Sequence, residues 1–281
     1  MKTGEILQLF GIKNFAGISE MKTGHINKTY LVECKKGKYI LQSLNRKVFK
    51  NPEIVMNNIL LIQEAFKSEK SISIPHYLKC NDRNYAELDG EIWRVCEYIE
   101  SKDNYSDKNY THGFTVGRFL RVINSVEFEF DNPISELHRF GGNLPKRNIH
   151  GDTKADNIIL GEKPAIIDFD MAMTNSINID YGDMIRSVTT DFFSLDKIRK
   201  TTEGFAEGID GLLTSDEIDS LYSGIVLIIS ELAERYRAGN KNFPNKTNEQ
   251  CHEREKELIL QLDEFYKHED KIIKIINKCF G

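Results

Sequence analysis

Residues 148–170 read NIHGDTKADNIILGEKPAIIDFD. Asp152 follows His150 and Gly151, and Lys154 and Asn157 stand two and five positions later. A short apolar run then reaches Gly161, and a second run, Ala165-Ile166-Ile167, ends in Asp168-Phe169-Asp170. Phosphoryl transfer asks a protein for alignment, for charge neutralisation by metal and for a group that takes the acceptor hydroxyl's proton. Asp152 suits the proton. Asn157 and Asp168 offer the oxygen ligands that Mg2+ prefers, and Lys154 can meet a transferring phosphate as a point charge. His150 is expected to brace the loop rather than to react. Other readings exist for each residue alone: Asp152 with Thr153 as a loop cap, Asp168 and Asp170 as strand ends, or His150, Asp152 and Asp168 as a metal-hydrolase set. The joint order favours phosphoryl transfer.

A hairpin carrying such groups needs a frame. Residues 30–34 and 39–44 are β-rich runs around the turn Lys35-Lys36-Gly37-Lys38. Asn51-Pro52-Glu53 reads as a helix start, with asparagine as cap and proline at the first position. Val55, Ile59, Ile62 and Phe66 then share one helical face. Asp89-Gly90 joins the runs 85–88 and 92–96 as a hairpin turn. The polar stretch 102–109 marks a lobe boundary, giving an N-terminal lobe over 1–98 and a C-terminal lobe over 99–281. In the second lobe one helix is expected over 112–126. Another opens at the capping box of Thr214 and Glu217 and runs on to Leu232, and an amphipathic helical tail covers 248–279. The fold class is therefore α+β and bilobal, with a small β-rich lobe carrying one main helix and a larger helical lobe.

With 281 residues the chain can bury a substantial core, as one two-lobed unit or two small domains. Its 38 basic and 43 acidic residues leave a net charge of −5, which argues against a nucleic-acid groove. The 5 cysteines are scattered without a CxxC, so neither a disulfide framework nor a zinc site is expected. Reduced thiols, the absence of a signal-peptide core in MKTGEILQLFGIKNF and apolar runs too short to span a bilayer point to a cytoplasmic protein without a membrane partner. The remaining histidines, His25, His76, His112, His138, His252 and His268, lack ligand spacing and read as surface or packing residues.

The segments HGDTKADN and IDFD resemble the aminoglycoside phosphotransferase/choline kinase-like superfamily of the protein-kinase-like fold, rather than protein kinases with their HRD, DFG and APE signatures. GHINKTY (24–30), ILQSLN (40–45), VFKNP (48–52) and YGDMIR (181–186) further resemble the N-acetylhexosamine 1-kinases. The resemblance implies ATP and Mg2+ as cofactors, with Asp152 as base and Asn157 and Asp168 as metal ligands. It also implies a phosphate-covering loop over 24–30, including Gly24 and Asn27, and a hinge over 96–99, including Glu97 and Ile99, that reads adenine. Asp170, Asp183, Arg186 and Arg235 become candidates for the acceptor, a small molecule and most simply a sugar. Asp183 with Arg186 could equally be a local helix pair, and Glu231 with Arg235 a surface pair. The same fold also serves aminoglycoside, choline and homoserine kinases, and a silent nucleotide-binding regulator is the reading from another class. One departure stands out. Where such kinases carry a lysine or arginine on the third strand, this chain has Gln42, so Arg46 or Lys154 becomes the expected cation.

Overall fold

The computed structural model describes residues 2–21, 26–102, 105–134, 144–243 and 245–281. The N-terminal part is a five-stranded antiparallel sheet in the order β1-β2-β3-β5-β4. Its strands are β1 (Phe15–Met21), β2 (Lys28–Cys34), β3 (Gly37–Ser43), β4 (Ala86–Leu88) and β5 (Glu91–Glu97). Alternation puts Val32, Leu41, Trp93 and Val95 on covered faces, where Ile6 and Leu7 of helix α1 (Lys2–Leu9) complete a small core. The β4–β5 turn uses Asp89 and Gly90, both at positive φ (52° and 74°), as a two-residue hairpin of this twist requires. Helix α2 (Pro52–Ala65) starts where expected and buries Val55, Ile59 and Ile62. Asn51 nevertheless makes no capping hydrogen bond through its side chain. Proline at the first helical position restricts the residue before it, and Asn51 sits at φ −120°, ψ 76°.

The C-terminal part is mostly helical. Helix α3 (Lys108–Ile123) begins earlier than its hydrophobic pattern suggests, because the Asp107 carboxylate caps it by accepting the Tyr110 N–H at 3.1 Å. After it come the short pair β6 (Arg147–Ile149) and β9 (Met173–Asn175), bracketing the hairpin β7 (Ile158–Leu160) and β8 (Pro164–Ile166). Helices α4 (Asn178–Val188) and α5 (Leu195–Ile209) follow. The capping box of Thr214 and Glu217 is present, but it opens the short α6 (Ser215–Asp219). Ser220 then separates α6 from α7 (Leu221–Arg237), so the one expected helix is two. The tail likewise divides at His268 into α8 (Asn248–Lys267) and α9 (Glu269–Phe280).

Helices α3 and α5 cross at backbone contact. A Cβ on Gly113 would lie 1.9 Å from the Thr201 carbonyl oxygen, and one on Gly204 2.0 Å from that of Tyr110. Helices α4 and α7 meet in the same way at Gly182 and Gly224. These crossings bury Phe119, Ile123, Tyr181, Ile185, Phe205 and Ile225, the floor on which the β7–β8 hairpin rests. Among the described residues no helix is long and apolar enough to cross a membrane.

Candidate active site

Between β6 and β7 the chain makes a tight loop that only a few side chains permit. Gly151 sits at φ +79°, and a Cβ there would come 2.4 Å from the Met171 carbonyl oxygen. His150 is fully buried. Its Nδ1 accepts the Asp152 N–H at 3.2 Å, and Nε2–H donates to the Ile167 carbonyl at 3.0 Å, so the ring is the Nε2–H tautomer. Burial pushes its pKa down and keeps it neutral. Phe119 and Phe169 clasp the ring edge to face, with centroids 5.4 and 5.5 Å away. His112, also buried and pushed down to about 4, faces the Thr153 carbonyl.

The loop is anchored from below by α4. Both Asp180 carboxylate oxygens accept loop amides, from His150 at 2.7 Å and Gly151 at 2.8 Å. The Thr153 hydroxyl donates to the Asp180 carbonyl, and the Ala155 N–H to the Ser187 hydroxyl, each at 2.6 Å. Burial outweighs those two amide bonds and raises the Asp180 carboxyl to about 7. The sequence offered no signal for Asp180 or Ser187, whose partners lie about thirty positions upstream.

These anchors converge Asp152, Lys154 and Asn157. Asp152 keeps 26% of its side chain exposed, and its Oδ2 accepts from Lys154 Nζ at 2.6 Å and Asn157 Nδ2 at 3.0 Å. Asn157 Nδ2 also donates to the Asp152 carbonyl at 2.8 Å, which turns its amide oxygen away from Asp152. Burial works against the Lys154 ammonium, but Asp152, Asp168 and Asp183 outweigh it and raise its pKa. Asp168 ends the hairpin in a left-handed conformation, φ 69°, ψ 66°. Burial first, then the charges of Asp170 and Asp152, push its carboxyl up to about 7.

Asp170, which the resemblance makes an acceptor candidate, is turned toward the N-terminal half of the chain. Its side chain is 5% exposed and pairs with Arg94 Nη1 at 2.5 Å, while its Oδ2 accepts from Asn27 Nδ2 at 2.5 Å. Both oxygens are thus taken by the N-terminal half. Arg94 is 1% exposed and donates from Nε to Gln42 Oε1 at 3.0 Å, and Gln42 Nε2 donates to Thr29 Oγ1 at 3.1 Å. The cation in contact with Gln42 is Arg94, which sequence reasoning passed over as one charge in a strand. Arg46 instead makes a solvent-exposed pair with Glu87 at 3.6 Å, and Lys154 stays on Asp152.

The other candidates divide by location. Asp183 and Arg186 pair within α4 at 2.7 Å, nearly buried, and Asp152 is among the charges raising the Arg186 pKa. Arg235 is exposed at the end of α7 and lies over the Phe243 ring at 5.6 Å, away from that pair's hydrogen bonds. In the hinge segment the Glu97 N–H donates to the His76 carbonyl and the Tyr98 N–H to that of Lys38, with Ile99 half-buried beyond them. Asn27 belongs to the Asp170 cluster, whereas Gly24, His25 and His138 lie outside the described residues.

A family model described as "Phosphotransferase enzyme family" matches residues 126–207, the stretch that holds this loop and hairpin. Among solved structures, a microcompartment-associated aminopropanol kinase superposes with a TM-score of 0.67 at 13% identity, covering 96% of this chain and 98% of that one. A spectinomycin phosphotransferase in complex with ADP and spectinomycin gives 0.58 at 13% identity, covering 99% and 97%. A choline kinase from Cryptosporidium parvum Iowa II gives 0.58 at 11% identity, covering 98% and 99%. At such identities the structures speak to the fold, and the family match speaks to the segment carrying Asp152, Asn157 and Asp168. On these grounds the chain has the fold of these kinases and phosphotransferases, and its residues 126–207 are similar to the phosphotransferase enzyme family.

Proposed function

We propose that the chain is an ATP- and Mg2+-dependent kinase whose acceptor is a sugar, with the anomeric hydroxyl of an N-acetylhexosamine (N-acetylglucosamine or N-acetylgalactosamine) giving the sugar 1-phosphate. The observation that carries the acceptor reading is the Asp183–Arg186 pair beside the catalytic loop. Asp183 acts electrostatically on Lys154 and His150, and Asp152 acts on Arg186. The carboxylate is compensated by the guanidinium at 2.7 Å, so this wall presents donors and acceptors together without a free negative charge. Such a surface suits hydroxyl and acetamido groups better than a bare cation.

In this reading Asp152 Oδ2 takes the acceptor proton as the acceptor oxygen bonds to the γ-phosphorus. The bond from that phosphorus to ADP breaks, and ADP leaves with its electrons. Lys154, held on Asp152, keeps a cation next to the transferring group. Residues 1–98 form the nucleotide-binding lobe, with the segment 96–99 against adenine and Asn27 on the phosphate side. Residues 99–281 form the catalytic and substrate-binding lobe.

The donor set fits Mg2+. Asp168 supplies a carboxylate crowded by Asp152 and Asp170, and Asn157 supplies an amide oxygen turned away from Asp152. Among the described residues no three His, Cys, Asp or Glu side chains form a cage by themselves. Mg2+ shared between one or two protein ligands and substrate phosphates needs none. When bound there it would neutralise phosphate charge and fix the phosphates for in-line transfer.

The names of the matched structures favour a second reading, an amine-bearing alcohol, since they include aminopropanol, spectinomycin and choline as acceptors. One panel separates the two: the purified protein with ATP, Mg2+ and, in turn, hexosamines, N-acetylhexosamines, aminoglycosides, choline, homoserine and small amino alcohols, read by ADP release. Turnover is expected with N-acetylhexosamines. Turnover confined to the cationic acceptors would replace the sugar reading with the second, and ATP binding without any turnover would favour a silent regulator.

A further inference from the structure

We propose that Arg94 is the positioning residue of the nucleotide site. From β5 it fixes the Gln42 amide so that Gln42 offers N–H to a phosphate oxygen, and through Asp170 it ties that donor to the loop carrying Asp168. The inference rests on the kinase reading above.

The register of β3 and β5 sets Gln42 directly opposite Arg94. A guanidinium has donors only, so the amide must turn its oxygen to Arg94 Nε–H, as it does at 3.0 Å. The Gln42 nitrogen is then forced to the other side. One of its two N–H bonds meets Thr29 Oγ1 at 3.1 Å, on the strand that leaves the phosphate-covering loop, and the second remains for a ligand. Arg94 thereby removes the freedom of the amide to flip and present an acceptor to an anion.

The other end of the guanidinium does a separate job. Nη1 holds Asp170, two residues after Asp168, and the free oxygen of that carboxylate takes Asn27 Nδ2. Asn27 Oδ1 in turn accepts the Asn45 N–H at 3.0 Å. The end of the phosphate loop, β3, β5 and the metal-binding turn are thus joined through one buried ion pair, with the Tyr77 ring 5.5 Å from the guanidinium. The arrangement also accounts for the neutral residue at 42. A lysine there would lie against Arg94 in a site with little water, where like charges repel strongly. The positive charge of the site has moved from β3 to β5, and position 42 keeps only the donor.

The test is calorimetric titration of ATP with Mg2+ into the full chain and four variants, Gln42→Ala, Gln42→Lys, Arg94→Gln and the double exchange Gln42→Lys/Arg94→Gln, with thermal unfolding recorded for each. Gln42→Ala leaves the Arg94–Asp170 pair in place and is expected to weaken ATP about tenfold, the scale of one charge-assisted hydrogen bond. Arg94→Gln and Gln42→Lys are each expected to weaken it by about tenfold or more, whereas the double exchange returns affinity to within about threefold of the unsubstituted protein. In turnover assays KM for ATP rises while KM for the acceptor stays, a split that general destabilisation would not produce. ATP affinity unchanged in Gln42→Ala, or a double exchange that folds yet binds no better than the singles, overturns the inference alone. If Arg94→Gln does not fold, the two Gln42 variants decide. No ATP binding by the unsubstituted protein would overturn the kinase reading and this inference with it.

Discussion

Asp152 is the residue on which the polar groups of the loop converge, since Lys154 and Asn157 both donate to its Oδ2. Asp152→Asn keeps the shape and removes the proposed base. It is expected to bind ATP normally by calorimetry and to lose more than about a hundredfold in kcat, the scale of general-base loss; near-normal turnover would take the proton-acceptor role away from it. Asp180 acts one layer below. Asp180→Ala leaves the His150 and Gly151 amides without acceptors inside the protein, at a cost of about 1–3 kcal/mol for each group left unpaired. The expected readout is a lower Tm together with faster hydrogen exchange at those two amides. The spacing of Asp152, Lys154, Asn157 and Asp168 was legible because local order alone specifies a loop and a hairpin. Asp180 and Arg94 were not. Their meaning comes from which distant residue each one meets, and a single charge in a strand or helix carries no sign of that.

At the scale of elements, hairpin turns and capping boxes were readable because they are built from neighbours, whereas helix crossings were not. Gly113 and Gly117 on α3 meet α5 where Gly204 and Gly208 stand, and added Cβ atoms would come within 1.9–2.4 Å of facing carbonyl oxygens. Sequence reading counts a helical glycine as a weak helix former. In this fold it is the condition for backbone contact. Gly204→Ala should gain about 1 kcal/mol in helix propensity. It would also place a methyl group 2.0 Å from the Tyr110 oxygen, forcing the helices apart. Overpacking of rigid backbone costs about 1–3 kcal/mol or more, so net destabilisation is expected, seen as a Tm lowered by several degrees. A Tm equal to or above that of the unsubstituted protein would show that α3 and α5 can separate freely. The same logic applies to Gly182, one residue before Asp183, where contact with Gly224 sets the depth of α4 and hence of Asp180, Asp183 and Arg186.

Across the whole molecule, the sheet half and the helical half are joined by polar ties rather than by apolar packing alone. Asn58 of α2 donates to the Ala172 and Asp131 carbonyls at 2.9 and 2.8 Å, just past the turn that holds Asp168. Asp170 is the second tie. The third is Glu69, after α2, which accepts from Arg118 of α3 at 2.8 and 2.6 Å and from the Ser71 hydroxyl and amide. Its side chain is only 3% exposed. Burial alone would raise its pKa, yet the bonds from Arg118 and Ser71 hold it at about 2, below the ordinary 4.5. The folded state therefore binds the Glu69 proton less readily than the unfolded chain does. The stabilisation is fully present above about pH 4.5 and is lost as pH falls through about 2. Glu69→Gln keeps the shape and most hydrogen bonds but carries no charge to titrate. It should unfold at a lower Tm than the unsubstituted protein at pH 7, by a gap that stays constant down to about pH 5 and narrows progressively below it. Salt should change the gap little, because the carboxylate lies away from water. A gap that stays constant down to about pH 3 would mean that the tie works by shape and hydrogen bonding alone, with no contribution from its charge.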